Sequence, residues 1–156
     1  MSSRRRSRAM ALQLLYGLHY QQQQKAGGVK GGPTPIQGPA PKRGQEPINL
    51  LRDFVVNFEV EPDVAEFGGD IFLGVCANLE AIDAMIEANA RHWKVARMSL
   101  VDLSLLRMAC YEMRFAVEKV PPSVVIDEAI ELAREYGSTE SASFVNGILD
   151  PIGRGL

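Results

Sequence analysis

The sequence predicts an all-α fold of about seven helices, packed as helical bundles. Apolar residues recur three and four positions apart through most of the chain, which is the spacing of one buried helix face. Pro47, Pro62 and Pro122 stand where helical patterns begin, a position at which proline is tolerated. No alternating run of useful length indicates a strand. Helices without a sheet bury their apolar stripes against one another, so a bundle is expected.

A stretch rich in glycine and proline interrupts this pattern at about residues 21–47. It contains Gly27-Gly28, Gly31-Gly32 and five prolines, and no helical period survives in it. We predict a flexible, exposed linker inside a single domain of residues 1–156. Because an unstructured loop of this length is uncommon in a compact domain, it is either an insertion peculiar to this protein or a strand that binds a partner.

The remaining pattern divides into seven helical segments. They cover about residues 7–22, 48–58, 62–76, 79–88, 99–117, 122–136 and 141–150. Ser99 and Asp102 form a capping-box pattern at the start of the fifth segment. Gly137 is predicted to cap the sixth segment in a left-handed conformation, and Pro151 is predicted to end the seventh.

The fifth segment is predicted to lie at the centre of the fold, with a buried stripe that ends at Val117. Gly68, Gly69 and Gly74 of the third segment are expected to allow close contacts between helices. The last three segments supply most of the predicted core. Its members are Leu106, Cys110, Ile130, Ala133, Val145 and Leu149.

Composition excludes several classes of protein. The formal net charge is -2 over 156 residues, so any nucleic-acid binding must come from a local cluster of positive charge. Cys76 and Cys110 lie in apolar helical contexts, which is typical of reduced core residues rather than of a disulfide scaffold. No apolar run approaches the ~20 residues of a membrane span, and no secretory leader is visible. We expect a cytoplasmic protein without membrane contact.

No catalytic site is expected. His19 and His92 are far apart and lack a carboxylate at ligand spacing, so they predict no metal site. The glycines of residues 27–32 lack the Gly-Lys-Ser/Thr ending of a phosphate loop. Asp127 and Glu128 lie near the first turn of a helix, where they complement the helix dipole, and nothing nearby supplies a nucleophile. We therefore predict no enzyme and no cofactor.

Four arginines, Arg4, Arg5, Arg6 and Arg8, crowd the start of the first helix. The N-terminal end of a helix dipole is positive and normally attracts acidic residues, so this placement is unfavourable in isolation. Two interpretations stay open. The turn is a frayed, solvated tail, or it is an anion site in which free N–H groups and guanidinium groups face phosphate. Tyr16, on the same helix, is interpreted first as a core aromatic and second as a ring that stacks on bases.

Three groups of motifs occur together in this chain. The opening reads Arg-Arg-Arg-x-Arg and then Ala11-x-x-x-Leu15-Tyr16. The middle holds Trp93, Arg97, Asp102, Leu106-Arg107-x-Ala109 and Tyr111-Glu112. The end holds Pro121, Val124, Ile126-x-Glu128-Ala129, Gly137 and Phe144-Val145-Asn146-Gly147-x-Leu149-Asp150. Together they resemble the NusB family of transcription antitermination factors, most clearly over residues 78–150 and the first helix.

This resemblance implies two packed three-helix bundles and a function in RNA binding. The ligand would be boxA-type single-stranded RNA, bound together with a small-subunit ribosomal protein, NusE. The pair would join an RNA polymerase antitermination complex and promote processive ribosomal-RNA transcription. By position, the resemblance implies an RNA face made of Arg4, Arg5, Arg6, Arg8, Tyr16, Glu140 and Phe144. It implies a partner face made of Asp102, Pro121, Pro122, Ser123 and Glu128.

The chain departs from the family pattern at several positions. Asp127 replaces the usual Asn, Pro122 stands where larger residues are frequent, and Pro151 with Gly153 is expected to shorten the last helix. Two other functions stay open. One is an N-terminal RNA-binding domain related to ribosomal-RNA cytosine methyltransferases, and the other is a helical protein-interaction scaffold. Because some relatives dimerise through the face that would meet RNA, a homodimer also stays open.

Overall fold

The structure is a computed structural model that describes residues 2–25 and 45–155. These residues form seven α-helices, with a 3-10 turn before the fifth and a π-helical turn after it. The α-helices are α1 Ser3–Lys25, α2 Pro47–Asn57, α3 Pro62–Ala77, α4 Leu79–Asn89, α5 Leu100–Cys110, α6 Pro122–Tyr136 and α7 Ser141–Arg154. The described ranges contain no strand, which confirms the predicted all-α class.

The helices form two groups that share α5. In the first group α1 packs along α3, and α2 lies against both of them. In the second group α5, α6 and α7 pack on one another, and α4 covers α5 and α7. Because α1 and α3 also contact α5, that helix joins the two bundles, as its apolar sequence predicts. Every one of its residues is buried.

Glycines in α3 allow the close approach of two neighbouring elements. A Cβ atom on Gly68 would lie 2.6 Å from the carbonyl oxygen of Ser7 in α1. A Cβ atom on Gly74 would lie 2.2 Å from the Tyr111 ring, in the π-helical turn. Both distances are far below van der Waals contact, so the predicted role of these glycines is confirmed. The Gly68 contact fixes the arginine-rich end of α1 against α3.

The start of α5 depends on a side-chain cap. The hydroxyl of Ser99 accepts a hydrogen bond of 3.2 Å from the backbone N–H of Asp102. This bond satisfies one of the donors that the first turn of a helix leaves without a partner. The N-cap predicted from the sequence is therefore confirmed.

We expect Ser99→Ala to lower the free energy of unfolding by about 1 kcal/mol, which is the usual cost of losing an N-cap. Urea unfolding followed by circular dichroism measures the change. Ser123→Ala is the matched control, because Ser123 is an exposed serine inside the first turn of α6 rather than at its N-cap. The control should change stability by less than about 0.5 kcal/mol. Equal effects of the two substitutions would contradict the capping role.

The core agrees with the prediction except at two positions. Leu106, Cys110, Ala133, Val145 and Leu149 are all fully buried. Ile130 is only half-buried, because the buried face of α6 is formed by Val125, Ala129, Leu132 and Ala133. Val117 is 99 % exposed. Its predicted place in the buried stripe is wrong, because the helix gives way to a π-helical turn over Tyr111–Phe115 and then to extended chain.

Both cysteines are free thiols that contact the core. Cys110 is buried and Cys76 is half-buried. Burial raises the pKa of Cys110 to about 12 and that of Cys76 to about 11, because a thiolate would lose its hydration there. Both thiols therefore stay protonated at neutral pH, which agrees with their prediction as reduced core residues.

The boundaries of the first and last helices differ from those predicted. Helix α1 begins at Ser3 and continues to Lys25, so residues 21–25 are helical and do not belong to the linker. The rest of the predicted linker, residues 26–44, lies outside the described residues. Helix α7 runs through Pro151 to Arg154. A proline there removes one backbone hydrogen bond, but Ile152 is 2 % exposed in the following turn, and its burial offsets that loss.

Gly137 ends α6 without the predicted left-handed conformation. Its φ is -95° and its ψ is -169°, which is extended backbone open to any residue. Glycine is needed there because a Cβ atom would lie 2.4 Å from the Ser141 hydroxyl oxygen and 2.7 Å from the Ala133 carbonyl oxygen. Close packing between α6 and α7, rather than backbone conformation, therefore explains this glycine.

Candidate nucleic-acid interface

Arg8 forms a buried ion pair with Glu112. Its guanidinium donates two hydrogen bonds, of 2.9 and 2.8 Å, to the two carboxylate oxygens. The side chains are only 5 % and 4 % exposed. This bidentate geometry joins α1 to the π-helical turn after α5. The prediction that Arg8 binds phosphate does not fit this burial, because a ligand cannot reach the guanidinium.

Arg5 and Arg6 pair with carboxylates of two further elements. Arg5 donates two hydrogen bonds of 3.0 Å to Glu128 in α6. These bonds raise the pKa of Arg5 and lower that of Glu128. Arg6 lies 3.2 Å from Glu61, just before α3, and both of these side chains are exposed. Exposed pairs contribute little to stability, so Arg6 can exchange this partner for another anion.

Arg4 contacts an aromatic ring instead of an acid. Its guanidinium carbon lies 4.3 Å from the centre of the Phe67 ring in α3, and the guanidinium carbon of Arg8 lies 5.2 Å from the same centre. Both distances are within the range of cation–π attraction. Arg4 is exposed, so it keeps access to solvent while Phe67 holds its position.

The arginine-rich end of α1 is therefore an ordered helical turn that contacts three other parts of the fold, and not a frayed tail. Carboxylates from the π-helical turn, from α6 and from the residue before α3 offset the repulsion among the arginines and the unfavourable end of the helix dipole. The surface beside Arg4 is a groove of about 830 Å³. Its acidic lining residues are Asp63, Glu66, Asp70, Glu112 and Glu118. Of the four arginines at this end of α1, only Arg4 and Arg6 are exposed.

Tyr16 belongs to the core, as its first interpretation proposed. It is 3 % exposed and stacks on Tyr20, with ring centres 5.8 Å apart. Burial raises the pKa of its hydroxyl. A ring enclosed in this way cannot stack on a base without a rearrangement of α1. The place of Tyr16 on the implied RNA face is therefore not supported by its burial.

Further along α1, His19 forms a buried polar network with α5 and α4. Its Nδ1 lies 3.0 Å from a terminal nitrogen of Arg107, whose guanidinium also binds both carboxylate oxygens of Asp83 at 2.8 and 2.9 Å. Arginine only donates hydrogen bonds, so Nδ1 is the acceptor and His19 is neutral. Burial and the nearby positive charge of Arg107 lower its pKa to about 3.

Phe144 lies in the first turns of α7 and contacts Trp93. The ring centres are 5.6 Å apart and the planes are 82° apart, an edge-to-face arrangement. Phe144 is half-buried against the core, whereas Trp93 is 51 % exposed. Glu140, which precedes α7, is exposed. Trp93 is part of the family motif, which does not predict its exposure, although its neighbours Arg91, His92 and Lys94 indicate a surface segment.

The implied RNA face is divided between the arginine-rich end of α1, which contacts the turn after α5, and the first turns of α7. Glu112, the partner of Arg8, follows α5. On α7, Gly153 lies beside Met113, next to that same end of α5. Phe144 precedes Gly153 by nine residues and is therefore about 13 Å further along α7. The arginines and Phe144 do not form one cluster.

The implied partner face is also spread over two places. Asp102 lies in the first turn of α5 and is only 8 % exposed, and its Oδ1 atom has no hydrogen-bond partner among the described residues. Pro121 and Ser123 are exposed beyond the opposite end of α5, and Pro122 is half-buried. Glu128 is bound to Arg5, so a partner that contacts Glu128 also meets α1.

Comparison with known proteins identifies the family. The family model described as NusB matches residues 5–154 of this chain. The chain belongs to the NusB family.

Curated NusB relatives match over nearly their whole length. The transcription antitermination protein NusB of Bdellovibrio bacteriovorus is 35 % identical over 156 residues, which cover 99 % of this chain and 97 % of the relative. The NusB protein of Desulfatibacillum aliphaticivorans is 38 % identical over 152 residues, covering 97 % of this chain and 90 % of the relative. The resemblance drawn from the sequence motifs is therefore confirmed.

Solved NusB structures share the fold. The structure of T. maritima NusB is 30 % identical, with a TM-score of 0.75 over 97 % of this chain and 90 % of that one. A second match, at 23 % identity and a TM-score of 0.74, comes from a crystal structure of antitermination factors NusB and NusE in complex with dsRNA. It covers 100 % of this chain and 99 % of that one. At this identity the likeness shows the fold alone, and it confirms the predicted pair of helical bundles.

No helix among the described residues is long and apolar enough to cross a membrane. Within the same residues, no group of three or more His, Cys, Asp or Glu side chains is placed to hold a metal ion.

Proposed function

We propose that this protein is a transcription antitermination factor that binds boxA-type single-stranded RNA together with the ribosomal protein NusE. The observation that carries the proposal is the NusB family match over residues 5–154, since relatives named as transcription antitermination proteins align with nearly the whole chain. The complex with NusE joins RNA polymerase during ribosomal-RNA transcription in the cytoplasm. The protein acts by binding and not by catalysis.

The burial and ion pairs of the four arginines support different roles for them in this proposal. Arg4 and Arg6 are exposed at the start of α1, so they contact phosphates. Arg5 and Arg8 hold α1 against α6 and the π-helical turn through their bidentate ion pairs. Their contribution to RNA affinity is indirect, because they orient the turn that carries Arg4 and Arg6. Phe144 marks a second contact region at the start of α7.

NusE binds at the surface that the family resemblance implies. Pro121, Pro122 and Ser123 form the part that solvent reaches, and the half-buried Glu128 adjoins it. Asp102 is only 8 % exposed and its Oδ1 atom is buried, so it lies beneath this surface, where it complements the dipole at the start of α5 rather than contacting NusE directly.

Fluorescence anisotropy of a labelled boxA-type RNA tests the proposal. The wild-type protein should bind the strand, and added NusE should tighten the binding. The double variant Arg4→Ala/Arg6→Ala should weaken binding to every RNA alike. It should also flatten the dependence of log affinity on log salt by about 1.4, because each single-strand phosphate contact contributes about 0.7.

Arg134→Ala is the matched control, because Arg134 is an exposed arginine of α6 that pairs with Glu131 in its own helix. It should leave the salt slope unchanged. Absence of RNA binding at low salt, both with and without NusE, would overturn the proposal. Binding of NusE alone would point instead to a protein-interaction scaffold.

A further inference from the structure

A groove of about 590 Å³ separates the α4–α5 connection from the first half of α7. Trp93 and Phe144 supply its aromatic surface, and Arg91 and His92 supply its polar edge. The other side chains that line it are small, apolar or uncharged, and none of the described lining residues is acidic. In this respect it is the opposite of the acid-lined groove beside Arg4.

The chain around the groove is basic. Residues 88–101 contain three cationic residues, Arg91, Lys94 and Arg97, together with His92 and no acid. All four of these side chains are exposed. Only Lys94 pairs with a carboxylate of the described chain, that of Glu87, at 3.6 Å. The connection therefore carries free positive charge next to an exposed aromatic ring.

The backbone at Arg91 holds this arrangement in place. Its φ is 27°, in the left-handed region where helices often end and where glycine is the usual residue. Here an arginine occupies this position, directly after Ala90, the C-cap residue of α4. The reversal that it produces turns His92 and Trp93 towards α7, and the edge-to-face contact with Phe144 fixes the angle of the indole ring.

Exposed aromatic rings beside arginine side chains are the usual means of binding unpaired nucleotides. The ring supplies a stacking surface that accepts any base, and the cations contact the backbone. We propose that this groove binds an unpaired base of single-stranded RNA, with Trp93 as the stacking residue and Arg91 as a phosphate contact. Phe144, being half-buried, positions Trp93 rather than stacking on the base itself.

This inference rests on the proposed RNA binding and extends it to residues outside the implied RNA face. An RNA strand that binds both at the Trp93 groove and at Arg4 and Arg6 would follow the second bundle from one end of α5 to the other. The acidic residues of the groove beside Arg4 repel phosphate, whereas the Trp93 groove contains no acidic lining residue among those described. The charges of the Trp93 groove therefore favour an RNA strand over a basic protein segment.

Intrinsic fluorescence gives a direct test, because Trp93 is the single tryptophan of the sequence. Titration of the full-length protein with an unlabelled, boxA-type RNA oligonucleotide should quench its emission, and the quenching should saturate together with binding measured by anisotropy. Trp93→Leu should lower RNA affinity about 5- to 150-fold, the range of one lost base stack. Trp93→Phe keeps a ring that can stack and should recover most of the affinity.

Arg91→Gly separates ligand contact from backbone structure. Glycine accepts a positive φ, so the melting temperature should not fall, while the salt slope of RNA binding should flatten by about 0.7. RNA binding that leaves Trp93 emission and the Trp93→Leu affinity unchanged would overturn this inference and leave the proposed function intact. Quenching by NusE but not by RNA would also overturn it. A wild-type protein that binds no RNA would overturn both.

Discussion

Arg8→Ala is expected to lower the free energy of unfolding by about 3–5 kcal/mol, the usual cost of removing one partner of a buried ion pair. Glu112 would remain with a side chain that is 4 % exposed and without its bidentate partner. The surroundings offer little replacement, because Leu105, Met108 and Val125 line the same small cavity. A carboxylate in such a site must be desolvated without compensation, or must take up a proton.

Arg6→Ala provides the control, since it removes an arginine of the same turn whose pair with Glu61 is exposed. Its cost should be about 0–1 kcal/mol. Guanidinium unfolding of both variants measures the difference. Equal losses for Arg6→Ala and Arg8→Ala would show that the burial of the Arg8 pair has no energetic consequence.

A double replacement separates burial from charge. Arg8→Met/Glu112→Leu removes both ionic groups and keeps most of the apolar volume, and such exchanges of buried pairs are often neutral or stabilising. We expect it to recover most of the stability that Arg8→Ala loses. Failure to recover would indicate that the pair also determines how α1 is oriented on α5, and near-ultraviolet circular dichroism would report that change.

The arginines of α1 show that local sequence patterns do not predict long-range ion pairs. Local rules correctly identify four cations at an unfavourable helix end. They cannot identify Glu112 as the compensating group, because 104 residues separate it from Arg8 in the sequence. Only the crossing of α1 over the end of α5 brings the two together. The sequence therefore predicts the electrostatic problem, and the tertiary structure determines its solution.

The sequence predicts that the seven helices exist, but it predicts where they end less accurately. The prolines that begin α2, α3 and α6, and the Ser99 cap of α5, follow from local chemistry. The predictions that the fifth helix ends at Val117 and that the seventh ends before Pro151 were wrong, because both ends depend on tertiary contacts. The helix gives way before Val117 at the π-helical turn, whose Tyr111 packs against Gly74, and α7 continues past Pro151 because Ile152 is buried.

The candidate site was predictable as a set of residue types and not as a surface. The family resemblance placed Phe144 and the arginines on one RNA face, yet the arginines lie on α1, beside the turn that follows α5, and Phe144 lies on α7. The exposure of Trp93 was not predicted, because the family motif that contains this residue carries no information on its burial. Its position between Arg91, His92 and Lys94 was the one local signal of a surface role.

The second large effect concerns pH, through the buried His19. Its ring is neutral in the folded protein, because Nδ1 accepts a hydrogen bond from Arg107 and the site is closed to water. Burial and the Arg107 charge lower its pKa to about 3 in the folded state, whereas an exposed histidine of the unfolded chain titrates near 6.5. Between these two values the unfolded chain binds one more proton than the folded protein.

The free energy of unfolding should therefore fall as the pH falls from about 6.5 to about 3, and the contribution of His19 should be complete above 6.5. The slope approaches about 1.4 kcal/mol per pH unit, which amounts to a loss on the order of 4 kcal/mol over the interval. Acidic groups add to this loss. The pKa of Glu128, for example, is lowered by Arg5, so the stability of that pair also disappears in acid.

His19→Asn isolates the histidine contribution. The amide oxygen of asparagine can accept the hydrogen bond of Arg107 in place of Nδ1, but it does not titrate in this range. The variant keeps the Glu128 contribution and every other acid-dependent term, and any cavity that it introduces costs the same at each pH. Urea unfolding at intervals from pH 7 to pH 3.5 should thus give a difference, wild type minus variant, that declines steadily with falling pH. Parallel curves for the two proteins would show that His19 takes up its proton in the folded state as readily as in the unfolded chain, and that the network with Arg107 and Asp83 does not hold it neutral.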